Sequence, residues 1–150
     1  MRARGGFVFG LVVVVASVAA WLTVAAWRDH TDQRNLAAAV ALAHRVAPPE
    51  GAVPSNACRG DGLVSCWTTP AQPRAAADSV AASLRRLGGH VTVACDRVRV
   101  GSGSAATSAD ECHVAARFGS RAVTVFADPH WQHGPGGNTI DGSLISVAAA

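Results

Sequence analysis

Residues 90–128 read HVTVACDRVRVGSGSAATSADECHVAARFGSRAVTVFAD, and the alternation inside this stretch decides the fold. Val91, Val93 and Cys95 fall on one face of an extended strand, and Cys112, Val114 and Ala116 do the same on a second. If the two strands form an antiparallel hairpin turning in the Gly101–Ala106 stretch, Cys95 faces Cys112, Val93 faces Val114 and Val91 faces Ala116. One register thus joins both cysteines and both apolar rows. Gly119-Ser120 is a two-residue hairpin signal before Arg121–Asp128. That turn sets Ala116 against Val123, Val114 against Val125 and Cys112 against Ala127, while His113, Arg117 and Thr124 line the other, wetter face. Around Asp96-Arg97 the apolar parity switches, which predicts a bulge there.

Outward toward the amino terminus, Ala76, Val80, Leu84 and Leu87 share one face of a predicted helix. Thr68-Thr69-Pro70 with Pro73 opens it, supplying candidate caps, and Gly88-Gly89 ends it. Before it, Gly62–Thr68 reads as a first strand. The expected fold class is α+β: an N-terminal transmembrane helix, then a small disulfide-stapled β-α-β-β-β domain with one helix on a mostly antiparallel sheet. The folded domain is expected over 50–132, and residues 133–150, HGPGGNTIDGSLISVAAA, as a flexible tail.

Cys58, Cys66, Cys95 and Cys112 all lie beyond the amino-terminal apolar segment. No CxxC occurs among them, so the short chelate loop of most structural zinc sites is missing and a disulfide framework is the expectation. Three pairings are open to four cysteines. The hairpin register selects Cys95–Cys112, leaving Cys58–Cys66.

Phe7–Trp27 is 21 residues without a charge, about 31 Å as a helix against a hydrocarbon core of about 30 Å. Arg2 and Arg4 precede it, whereas Arg28 and Arg34 beyond it are offset by Asp29 and Asp32. The expected order is a cytoplasmic tail over 1–6, a transmembrane helix over 7–27, and a juxtamembrane helix and linker over 28–49. That short helix has Leu36, Val40, Ala43 and Ala47 on one face and is stopped by Pro48-Pro49. The rival reading is a signal peptide cleaved after Val18-Ala19-Ala20 or Val24-Ala25-Ala26, which secretes the domain. Either reading places the domain outside the cytoplasm.

All thirteen basic residues are Arg, and the alanine, valine and glycine bias suggests a GC-rich bacterial genome. The net charge of +3 belongs to residues 1–47; from Pro48 onward eight Arg meet eight acidic residues. A neutral domain lacks the uncompensated cations that phosphate-backbone binding needs, so nucleic acid is excluded as an expected partner.

The strongest metal signal is Asp128, His130 and His133 within DPHWQH, a carboxylate and two imidazoles of the kind that ligate zinc or copper. The ordinary alternative is a polar strand end with solvated histidines, and no metal or cofactor is expected. Gly101-Ser102-Gly103-Ser104 lacks the GxSxG of a nucleophile elbow, and Asp110-Glu111, adjacent on a strand, point to opposite faces. Arg97, Arg99, Arg117 and Arg121 are the candidate contacts for an anionic polymer or acidic partner, if the sheet gathers them. The expected function is a non-enzymatic binding or accessory module of the bacterial envelope. Its alternative is a small secreted or envelope hydrolase, or metal-binding protein, using His130 and His133.

Overall fold

The computed structural model describes residues 4–58, 62–100, 107–134 and 137–149, with side chains from 17 onward except at 19, 100, 133, 134, 137 and 138. The chain divides into two units, 1–35 and 36–150. Helix α1 covers Arg4–Ala43 and does not break at residue 28, where a separate juxtamembrane helix was expected. The reason is compositional: between Gly10 and Pro48 there is neither glycine nor proline to interrupt it. In the first unit Val18, Trp21, Leu22, Val24 and Trp27 are exposed, the two indoles by 71% and 69%. Among the described residues no helix is long and apolar enough to cross a membrane. The side chains of 7–16, the first half of the expected span, lie outside the described residues.

The second unit is an α+β domain. Its described strands are β1 (Val53–Pro54), β2 (Leu63–Thr69), β3 (His90–Val100), β4 (Thr107–Phe118), β5 (Arg121–Gly134) and β6 (Gly137–Ala149), with helix α2 (Pro73–Arg86) between β2 and β3. They form one antiparallel sheet in the order β1-β2-β6-β5-β4-β3. The hairpin registers are those the alternation requires: Cys95 opposite Cys112, Val93 opposite Val114, Val91 opposite Ala116. Across the next turn, Ala116 faces Val123, Val114 faces Val125 and Cys112 faces Ala127. Gly119 adopts φ 68°, the left-handed conformation that a primed hairpin turn demands. The turn expected at 101–106 lies outside the described residues.

Three expectations need correction. No bulge interrupts β3, which pairs with β4 residue for residue from His90 to Val100. The parity switch instead turns Val98 toward the face away from α2, where it lines a small cavity. Thr69 does not cap α2; its hydroxyl donates to the Glu50 carbonyl and accepts the Ala71 N–H. The N-cap is Gln72, without a side-chain bond, and Pro73 at the first turn has no N–H to satisfy. Finally, the described residues of 133–150, expected as a flexible tail, are strand. β5 runs to Gly134, and β6 lies between β2 and β5. Ile145 and Val147 are fully buried on one side of β6, and Ser143 and Ser146 are buried as well. The inward row is Ser143, Ile145 and Val147, and a serine on that row, with glycines close before it, hides the apolar face from the sequence pattern.

The core lies between α2 and the sheet. Ala76, Ala77, Val80, Ala81 and Leu84 meet Val114, Val123, Val125, Ile145 and Val147. Ala43 and Val46 join them, and the Ala47 N–H donates to the buried Ser83 hydroxyl at 2.9 Å, tying the linker to α2. Of the face expected on the juxtamembrane helix, Ala43 is buried but Leu36 is 50% exposed; Ala39 and Val46 take the inner positions. Two disulfides, Cys58–Cys66 and Cys95–Cys112, complete the domain.

Candidate functional site

The site begins with an irregularity in β6. Pro129 pairs with Ser143 but Trp131 pairs with Ile140, so His130 alone is matched by two residues, Asp141 and Gly142. Gly142 has φ 140°, and a Cβ there would lie 2.0 Å from the Thr69 carbonyl oxygen of β2. Only glycine lets β2 and β6 approach at this point. Pro129 is tolerated because the β4 ladder has already ended at Ala127.

The bulge brings Asp141 against two β5 side chains. His130 Nδ1 lies 2.8 Å from Asp141 Oδ1, and Gln132 Nε2 donates to Asp141 Oδ2. Each carboxylate oxygen therefore has a nitrogen partner, which fixes the imidazole and leaves its Nε2 uncommitted to Asp141. The cluster borders an open pocket of about 360 Å³, completed by Gly51, Val53, Thr68, Thr69 and Pro70. His130 and Asp141 are about one-third exposed, so a ligand in the pocket has access to them. Val53 and Pro70 offer apolar contact beside the polar groups.

Asp128 belongs to a different group. It is half-buried, and burial first, then the nearby Glu111 charge, raise its carboxyl above the ordinary value. On the face of the sheet away from α2, the His113 and Phe126 rings stack with centroids 4.9 Å apart, and Asp96 is paired directly opposite Glu111. A cavity of about 180 Å³ lies among Ala94, Asp96, Val98, Glu111, His113 and Phe126.

The candidate residues are thus dispersed. His130 is held by Asp141, and the side chain of His133 lies outside the described residues. Among the described residues no group of three or more His, Cys, Asp or Glu is arranged to hold a metal ion. The four arginines do not form one patch. Arg97 reaches Asp110 at 3.8 Å, and Asp110 also takes Arg74 of α2 at 3.3 Å, so this pair belongs to the helix side of the sheet. Arg99 shares the Arg97 face by alternation. Arg117 and Arg121 flank the Gly119-Ser120 turn at the opposite end of the hairpin. Sequence reasoning missed Asp141, because it fell in the expected tail; the Asp-Gly pair before an apolar run was the available bulge signal. Comparison with family models, curated proteins and solved structures yields no match.

Proposed function

We propose that this chain is a bacterial envelope protein whose domain works outside the cytoplasm as a non-enzymatic binding or accessory module. One observation carries the reading: all four cysteines are consumed in two disulfides, which persist in oxidising compartments and are rare in the cytosol. The uncharged 7–27 segment supports export and attachment to the membrane. A neutral domain with an open polar pocket favours a protein, glycan or other envelope ligand over nucleic acid.

Protease treatment of intact bacterial spheroplasts expressing the full chain tests location. Digestion of the domain without permeabilisation is the expected result; protection until the membrane is opened refutes it. The mature amino terminus separates attachment from secretion, since a start at Trp21 or Trp27 means that the segment is cleaved.

A second reading, a small hydrolase or metal-binding protein, is favoured by the His130–Asp141 contact alone. Imidazoles that bind metal commonly give their other nitrogen to a carboxylate in this way. Stoichiometric zinc or copper in the purified chain, lost in His130→Ala, would establish it in place of the binding module.

A further inference from the structure

The sheet has two edges of very different character. β1 is two residues long and contains Pro54, a blunt edge that cannot template further pairing. β3 is eleven residues long, carries no proline or bulge, and among the described residues ends the strand order on its side. Which of its backbone groups face outward follows from one distance. Cys95 and Cys112 are Cα partners 4.1 Å apart, the spacing of a non-hydrogen-bonded antiparallel pair rather than the roughly 5.5 Å of a bonded one. The N–H and C=O of Cys95 therefore point away from β4. By the period of two, so do those of Val91, Val93, Arg97 and Arg99.

We infer that the free edge of β3 pairs antiparallel with β3 of a second copy of this chain, joining two sheets across a two-fold axis. The sequence of the edge supports self-pairing. Centred on Cys95, the register matches all eleven residues: His90 with Val100, Val91 with Arg99, Thr92 with Val98, Val93 with Arg97, and Ala94 with Asp96. No residue faces a like charge, and the arginine stems lie across valines. Centring on Asp96 or Arg97 instead sets a charge against its own copy. The five outward residues of each strand supply about ten hydrogen bonds in this pairing. A closed two-fold contact also removes the edge from further aggregation.

The test is sedimentation of the full chain in detergent, with amide hydrogen exchange across β3. A two-chain mass is expected, with the amides of Val93, Cys95 and Arg97 slowed at least about 100-fold on dimerisation while those of Thr92, Ala94 and Asp96 are slow in both states. Arg97→Pro removes one outward N–H and no backbone bond to β4, giving up on that side only the exposed 3.8 Å contact with Asp110, so it restores the monomer while the even-numbered amides stay protected. If that variant unfolds, exchange in the unsubstituted chain decides alone. A single-chain mass at every concentration, a dimer whose odd-numbered amides exchange fast, or protection conferred by a different protein would each overturn the inference.

Discussion

The two halves of the sheet are built on different principles. In β3-β4-β5, each strand pairs with its neighbour in sequence through a near-local connection, and every register follows from side-chain alternation. In β1-β2-β6, the last strand returns to insert between β2 and β5, and its fit depends on a glycine at van der Waals contact with another backbone. The first half tolerates change wherever alternation is kept. The second depends on single positions, and together with the end of β5 it lines the pocket around His130 and Asp141.

Substitution of Gly142 is the strongest way to break this contrast. Gly142→Ala forces a Cβ against the Thr69 carbonyl at a φ that side chains avoid, and is expected to destabilise by about 3 kcal/mol or more in urea denaturation. Gly119→Ala, at a turn with open space for a Cβ, is expected to cost only about 1 kcal/mol. Equal losses at the two sites would erase the distinction. Ile145→Ala, at the centre of the inserted strand, is expected to cost about 2–5 kcal/mol by the same measurement. Removing Cys95–Cys112 as a double alanine variant is expected to cost about 3 kcal/mol and removing Cys58–Cys66 about 2.5 kcal/mol, following their sequence separations of 17 and 8.

Asp128→Asn sharpens the comparison at its smallest scale, on the part of β5 that faces Glu111. Burial raises the Asp128 carboxyl, so the folded state favours its protonated form. Stability from that preference is fully present below the unfolded value near 3.8 and is lost as pH rises through the higher folded value. The Asp128→Asn variant is therefore expected to be slightly more stable than the parent at pH 7 and to lose that advantage at pH 3. A parent that gains stability relative to this variant with rising pH would contradict the assigned cause.

The legibility of the fold follows the same division. Cys95, Val93 and Val91 could be matched to Cys112, Val114 and Ala116 because strands of a half-covered sheet alternate, and one parity places every apolar residue inward. β6 offered no such signal: Ser143 and Ser146 are buried beside Ile145 and Val147, so polarity and burial part company there. The Asp96-Arg97 parity switch suggests a bulge, but on this edge strand Val98 lines the outer face instead. His130 was visible as a candidate, but its partner Asp141 is eleven residues away across a bulge, and only the strand pairing shows the contact. The arginines failed as a patch because alternation and hairpin length separate them.

Oxidation state is the premise beneath the proposed location and function, and a non-reducing peptide map of the full chain taken from membranes tests it directly. Peptides joined as Cys58–Cys66 and Cys95–Cys112, with no alkylatable thiol, are the expected result. Four free thiols in chain taken from its own membranes would place the domain in a reducing compartment and contradict the account.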